Sequence, residues 1–341
     1  MGWEKNKTFK SHKEIMEIKY YARLRGGIRT HLEYLLNHFK AKLVTSEVIF
    51  DFYDGTYGIS RGIKLLQKEM ESCDIFHIHH ATHSLELLIP SLTKKMNKKP
   101  AIINTFHTPV GENVLSVFSK NYMRLIARLY KETSKKFIVV GTKQKEVIED
   151  IVGDNLLVIP NGVDTNKFKR KKAKRFFKDF TVGYLGRLHI EKNISSLVRA
   201  CKKAGANLVI AGTGTQYEKL KKMENEKLKV LGFVKDSVKF YNSIDVFASP
   251  SHLEGHPYTV LEAMSCGKPV IVSNFGGEEK ILEDCGIICG TKVKEISKAI
   301  KEIKNMDLKK MGNNARKLVK RKYDLKDQIE KLNKVYKSVL K

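Results

Sequence analysis

The feature that most constrains the fold is a rhythm that the chain runs through twice. Short runs rich in β-branched and aromatic residues alternate with longer segments of helical period. In the first half the candidate strands are 15–21, 43–50, 74–79, 101–106, 136–140 and 156–159. Helical stretches separate them at 29–40, 60–72, 83–95, 113–133 and 142–152. Such alternation predicts βαβ units and a parallel sheet, covered by helices on both faces. Pro160-Asn161-Gly162 then breaks the pattern, and reads as a turn with glycine at positive φ. The basic stretch Lys167–Lys178 (KFKRKKAKRFFK) follows and reads as a connection between domains. A second alternation places strands at 180–185, 207–211, 228–231, 245–248, 269–272 and 286–289. Its helices fall at 193–203, 215–223, 237–242, 258–266 and 278–282, and helical stretches 294–303, 307–322 and 325–339 close the chain. A length of 341 residues also fits two domains, at roughly 150 residues each. The expected class is therefore α/β. Two doubly wound halves imply a ligand cleft at the C-terminal ends of their strands.

Composition narrows the partners. Lys and Arg number 64 against 37 Asp and Glu, a formal charge of +27. Twelve of the 64 are Arg, and only four Gln occur. Base reading leans on Arg, Asn and Gln, and no zinc-finger spacing or aromatic RNA-binding motif appears, so nucleic acid is not expected as a partner. A lysine-rich proteome or an anionic membrane surface accounts for the charge equally well. The segment 113–133 is a candidate basic amphipathic helix. Val114, Val117, Phe118, Leu125, Ile126 and Leu129 lie near helical spacing, with Lys120, Arg124, Arg128 and Lys131 on its other faces. Such a helix either packs its apolar side on its own sheet or lies on a membrane. No run reaches the roughly 18 apolar residues of a membrane span. The first 15 residues lack the apolar core of a signal peptide, and five cysteines make no disulfide framework. The expectation is a reduced, cytoplasmic protein, with peripheral association at an anionic membrane as an option.

Three loops carry chemistry. Arg25-Gly26-Gly27-Ile28 stands between the first strand and a helix, where glycines let backbone N–H groups approach an anion. A plain tight turn explains it equally. Gly186-Arg187-Leu188-His189-Ile190-Glu191-Lys192-Asn193 follows a strand, with Arg187 and Lys192 five apart on a loop entering a helix. Arginine holds phosphate oxygens bidentately and lysine adds a point charge. The segment PSHLEGHPYTVLEAMSCGKPV, residues 250–270, runs from a strand through a Gly/Pro loop into a short helix. Glu254 sits in the loop and Glu262 on the helix. A carboxylate accepts hydrogen bonds from sugar hydroxyls, and a helix N-terminus favours an anion. One ligand with phosphates between two sugars satisfies all three features, and that ligand is a nucleotide sugar. Taken alone, either glutamate reads equally as a solvated carboxylate.

The E-x7-E pair inside PSxxEGxPxxxLEAMxCGKPV resembles the signature of retaining glycosyltransferases of family 4, which have the GT-B fold. GGI, TFHTP, PNGVD, GRLxxEKN, AGTG and LGFV occur in the family's order, so the resemblance covers nearly the whole chain. It implies two Rossmann-like domains facing a cleft. Residues 1–160 with about 325–341 would bind the acceptor, and 161–324 would bind the donor, with the final helix crossing back. By the resemblance, Arg187 and Lys192 would grip the donor diphosphate, and Glu262 would bind the ribose. Glu254 would contact the transferred sugar, supported by backbone at Gly255, His256 and Pro257. Tyr258 and Thr259 would present N–H groups to phosphate, and Phe233 and Val234 would meet the base. Gly27 would approach the diphosphate from the other domain, and His107 would sit at the reacting centre. His256 stands where many relatives have Phe, which leaves the sugar open.

The resemblance implies transfer from a UDP- or GDP-sugar to a hydroxyl on a lipid-linked, saccharide or small-molecule acceptor. A nucleotide-sugar 2-epimerase on the same fold, or a non-catalytic anion-binding protein, are the alternatives. No Asp-x-Asp occurs, so cations and helix N-termini would stabilise the leaving group without a metal. The FHIHH run offers three histidines, but no carboxylate or cysteine joins them at metal-ligand spacing. His77 and His79 read as packed residues on one strand face, and His80 as lining the cleft.

Overall fold

A computed structural model describes residues 16–22, 27–45, 55–80, 85–110, 114–273, 282 and 284–341. The first half comprises β1 (Ile18–Ala22), α1 (Gly27–His38), β2 (Ala41–Thr45), α2 (Gly55–Glu71), β3 (Ile75–His80), α3 (Ile89–Lys95), β4 (Ala101–Phe106), α4 (Val114–Tyr130), β5 (Ser134–Val139), α5 (Thr142–Val152) and β6 (Leu156–Val158). The second comprises β7 (Thr181–Leu185), α6 (Ile194–Ala204), β8 (Asn207–Ala211), α7 (Tyr217–Lys221), β9 (Leu228–Val230), α8 (Ser237–Asn242), β10 (Val246–Ser249), α9 (Tyr258–Ser265), β11 (Val270–Val272), β12 (Gly286–Ile288), α10 (Val293–Lys304), α11 (Leu308–Lys322) and α12 (Leu325–Val339).

The expected helix 83–95 divides. A 3-10 turn, Leu85–Leu88, precedes α3, because Pro90 in the first turn of α3 has no N–H to continue a helix from upstream. The expected strand 43–50 runs out of the described residues after Thr45. So does the expected helix 278–282, apart from Leu282.

Each half builds a six-stranded sheet, in the orders β2-β1-β3-β4-β5-β6 and β12-β11-β10-β7-β8-β9. All ladders are parallel. Parallel strands are buried on both faces, so they read as apolar runs. β4 and β8 are buried along their whole lengths. Helices α2, α3, α4 and α5 share a core with one face of the first sheet, through Leu66, Ile89, Met123 and Ile148. The other face packs α1 and α12, through Leu32, Leu35, Leu332 and Tyr336. The second sheet is covered likewise, with Val260, Leu261 and Leu318 on one face and Leu197, Ile296 and Ile300 on the other.

Strand order positions the site. In an open parallel sheet, ligands bind beyond the carboxyl ends of the strands where the order reverses. In the second sheet that point is the β10/β7 pair. The loop leaving β7 is GRLHIEKN, and the loop leaving β10 is PSHLEGHPY. Topology alone therefore brings the two motif loops together.

The chain crosses between the halves at two adjacent places. Val163 and Asp324 form a parallel β-bridge, with Val163 N–H donating to the Tyr323 carbonyl and Leu325 N–H to that of Val163. Gly162 is not at positive φ, contrary to the turn expected there. Its glycine answers a close approach instead: a Cβ would lie 2.8 Å from Leu325 Cα. The basic stretch 167–178 is not a free connection either. Phe168 is buried, Phe176 and Phe177 pack on the same core, and Arg175 pairs with Asp245, so the segment is clamped to the second domain.

Candidate functional site

The loops leaving β7 and β10 are tied to one another by backbone and one asparagine. Asn193 is the only non-glycine at positive φ among the described residues, at 56°. Asparagine tolerates this conformation better than most residues. Its Nδ2 donates to the carbonyls of Pro250 (3.1 Å) and Thr291 (2.8 Å). His252 N–H donates to the Glu191 carbonyl at 2.9 Å. The AGTG loop after β8 closes on the same group, where a Cβ at Gly212 would stand 1.8 Å from the Gly186 carbonyl oxygen.

Lys192 and Glu254, assigned to phosphate and to sugar, meet directly. Nζ lies 2.7 Å from Oε1, with both side chains largely withdrawn from water. Arg187 stands apart: its side chain is 50% exposed and pairs with Glu191 at 3.4 Å. The two cations are therefore unequal, one preset against a carboxylate and one free to swing. Beyond Glu254, Gly255, His256 and Pro257 are buried. α9 begins at Tyr258 with Pro257 as its N-cap and no side-chain cap, so the first-turn N–H groups of Tyr258 and Thr259 lack a side-chain acceptor. Such an end attracts an anion.

Glu262 is buried one turn further along α9. Its Oε2 accepts from Tyr241 Oη at 2.7 Å, and burial pushes its carboxyl up to about 7. The hydrogen bond and nearby Lys167 oppose the shift without cancelling it. At the end of β9, Phe233 is 74% exposed and Val234 packs partly on the core. Of the RGGI turn, Arg25 and Gly26 lie outside the described residues, and Gly27 opens α1.

The first domain contributes a histidine array. His107 follows β4, its N–H donating to the His80 carbonyl. Gln144 pins that loop, donating from Nε2 to the Thr108 carbonyl at 2.6 Å while its Oε1 accepts from Val140 N–H. His79 Nδ1 and His107 Nε2 are 3.1 Å apart, and the ring centroids of His31 and His107 are 4.6 Å apart. Burial drives His79 and His107 well below the ordinary imidazole range and brings His31 to about 3, so all three are neutral at pH 7. His31 carried no signal in the motif reading. It was legible only as a histidine on the apolar face of α1, three residues after Ile28 and four before Leu35.

One nitrogen from each of His31, His79 and His107 lies within 4.8 Å of the others. Ligands around a tetrahedral zinc sit about 3.3 Å apart, given its ~2.05 Å bonds. A metal would therefore need the array to contract and give up the His79–His107 hydrogen bond. His77 is satisfied elsewhere, by Tyr336 Oη (2.8 Å) and Thr105 Oγ1 (2.7 Å). His80 does not line the cleft. It points to the opposite sheet face, fully buried, bonded to Asn104 Oδ1 at 2.7 Å and stacked on Phe106.

The two domains touch through these residues. Tyr258 Oη lies 2.8 Å from His31 Nδ1, and Asn161 Nδ2 donates to the His256 carbonyl at 2.7 Å. Val110 and Glu254 form an antiparallel β-bridge. A Cβ at Gly255 would stand 3.3 Å from the His107 carbonyl oxygen. The His256 ring is turned away, 5.0 Å from that of Tyr323. A separate cavity of about 620 Å³, bounded by Lys94, Lys98, Lys99 and Lys135, opens at the other ends of the strands and includes none of these residues.

The model for Glycosyltransferase Family 4 matches residues 47–167, and that for Glycosyl transferases group 1 matches residues 165–318. The chain is 28% identical over 246 residues to the UDP-Gal:alpha-D-GlcNAc-diphosphoundecaprenol alpha-1,3-galactosyltransferase of Escherichia coli, covering 65% of this chain and 62% of that one. It is 27% identical over 227 residues to the capsular polysaccharide biosynthesis glycosyltransferase CapM of Staphylococcus aureus, covering 58% and 60%. The match thus spans about three fifths of each relative. Among solved structures, Anabaena HepE in complex with UDP and glucose superposes with a TM-score of 0.74 at 17% identity, covering 95% of this chain and all of that one. A glycosyltransferase from Rickettsia africae superposes at 0.75 with 19% identity, covering 96% and 100%. At such identities these structures establish a shared fold. The two family models meet at the domain crossing and together run from residue 47 to 318, and the chain belongs to family 4 of the glycosyltransferases.

Proposed function

We propose that the chain transfers a sugar from a nucleotide-sugar donor to a hydroxyl acceptor, with retention of configuration and without a metal. The observation that carries this reading is the convergence at the β10/β7 reversal. There the Lys192–Glu254 pair, the uncapped start of α9 and the buried Glu262 follow one another along a single loop and helix.

In this reading the ribose hydroxyls donate to Glu262, and the diphosphate lies against the N–H groups of Tyr258 and Thr259 with Arg187 and Lys192 around it. Glu254 holds the transferred sugar, and the base stacks beyond β9 near Phe233 and Val234. The acceptor hydroxyl attacks the anomeric carbon on the face from which the diphosphate leaves. The bond to phosphate oxygen breaks, and that oxygen takes the hydroxyl proton. The two cations and the N–H dipoles stabilise the departing charge, the role a metal plays elsewhere. Closure of the cleft excludes water and so suppresses donor hydrolysis.

His107 remains neutral and contacts the sugar near the reacting carbon, held by His79 and His31. The E. coli relative's name specifies a diphosphoundecaprenol acceptor and UDP-galactose. A lipid-linked diphosphate acceptor of that kind suits a chain of charge +27 working at the face of an anionic membrane.

A thermal-shift screen of UDP- and GDP-sugars with EDTA present tests the reading. A donor at about 100 times its Kd adds roughly 2.7 kcal/mol. A clear shift with one donor supports the metal-free site. A folded sample that responds to none of them, or responds only when divalent metal replaces EDTA, overturns it.

A further inference from the structure

We infer that the outer face of α4 is a docking surface for an anionic lipid bilayer. It rests on the proposed reading only in supposing that the acceptor is presented at a membrane.

Periodicity alone would have α4 bury its apolar side on the sheet. The helix is instead apolar on two sides. Its inner face is made by Met123, Ile126, Ala127 and Tyr130, all in the core. On the outer face Val117, Phe118, Leu125 and Leu129 are 53%, 71%, 47% and 41% exposed. At 1.5 Å per residue, the stripe from Val117 to Leu129 runs about 18 Å. Single exposed leucines are ordinary, but four large apolar side chains on one stripe mark an interaction surface.

Charge decides what covers it. α4 contains no acidic residue from Val114 to Tyr130. Lys120, Arg128 and, just past its end, Lys131 flank the stripe. Arg124 belongs to the fold instead, held bidentately by Asp150 of α5 at 2.8 and 2.7 Å. An apolar ridge bordered by cations fits lipid tails below anionic headgroups. A second copy of the chain would set this basic face against itself in a two-fold dimer, and like charges oppose that. Orientation agrees: α4 starts four residues after Val110, which bridges to Glu254. The stripe therefore begins at the cleft mouth, where an acceptor carried in the membrane would arrive.

The test is co-sedimentation of the full chain with phosphatidylcholine vesicles, with and without phosphatidylglycerol, at low and high salt, in the absence of donor. The wild type should bind the anionic vesicles and release as salt rises. Phe118→Ser/Leu125→Ser should bind roughly tenfold more weakly while staying folded, with only the small drop in unfolding midpoint that two serines cost an exposed helix face. Phe118→Trp should show blue-shifted emission on anionic vesicles, quenched by brominated lipid. Equal partition on neutral and anionic vesicles overturns the proposal, as does undiminished binding by the double variant. A concentration-dependent dimer that the double variant abolishes also overturns it, in favour of a second copy. No arm reads turnover, so failure here leaves the transferase reading standing, and a donor-blind protein that binds vesicles would fail only the latter.

Discussion

Tyr258 Oη and His31 Nδ1, 2.8 Å apart and 227 residues apart in sequence, join α9 of the second domain to α1 of the first. Tyr258 opens α9, whose first N–H groups face the proposed diphosphate. His31 lies against His79 and His107. In the proposed reading, this one buried hydrogen bond couples closure of the cleft to the placement of the His107 imidazole.

Tyr258→Phe keeps the ring and removes the bond. A buried hydrogen bond contributes about 0.5–1.5 kcal/mol net, enough to shift an open–closed equilibrium up to roughly tenfold. The variant should fold normally, show a larger radius of gyration by small-angle scattering, and lose kcat more than donor affinity. An unchanged radius together with unchanged kinetics would discard the coupling.

Glu262 predicts proton release on donor binding. Burial holds its carboxyl at about 7, and ribose hydroxyls donating to it would favour the ionised form. Calorimetry at pH 7 in two buffers of different ionisation enthalpy should give different apparent binding heats, and Glu262→Gln should erase the difference while weakening binding. Buffer-independent heats in the wild type would remove Glu262 from the ribose site.

The two cations should separate kinetically. Arg187 is half exposed, so Arg187→Ala should alter stability by less than about 0.5 kcal/mol while lowering kcat/KM by about a hundredfold, as the loss of a leaving-group stabiliser does. Lys192→Arg keeps the charge beside Glu254 and should cost less. Small, equal effects of both on kcat/KM would sink the diphosphate assignment.

Stability should fall in acid. His31 is held near 3 against an ordinary 6.5, so the unfolded chain takes up a proton that the folded one refuses. Its contribution is fully present above pH 6.5 and is lost as pH drops, about 2 kcal/mol by pH 5. His79, His107 and His256 act in the same direction. Glu262 opposes them: its raised carboxyl makes stability rise as pH falls from about 7 towards 4.5. Four imidazoles outweigh one carboxyl, so urea midpoints should decline from pH 7 to 5. A flat or rising profile would show that the array is wetter than its burial implies.

The doubly wound halves were legible because strand and helix periods differ and each pattern is carried by local residues. The loops leaving β7 and β10 were legible for a related reason, since Gly186, Gly255 and Pro257 punctuate the chain where strands end. His31 and Tyr258 were not paired in the sequence, because their meeting depends on how two domains stack. Gly162 misled through its Asn-Gly turn chemistry, while the real constraint was the approach of Leu325. The segment 113–133 left two readings open, because a helix apolar on two sides has no periodicity that says which side faces the sheet. His80 follows His79 in a strand, and alternation alone sends it to the opposite face.

The return of α12 has a consequence for biosynthesis. Leu332, Val335 and Tyr336 complete one face of the first sheet beside α1, and Tyr336 closes over His77. Those residues emerge from the ribosome about 170 residues after β6, roughly 10–30 s later at ordinary elongation rates. Through that interval α1 alone covers this face of the sheet, while the strands of the second domain emerge one after another. The first domain, although made first, is therefore completed only after every strand of the second has emerged.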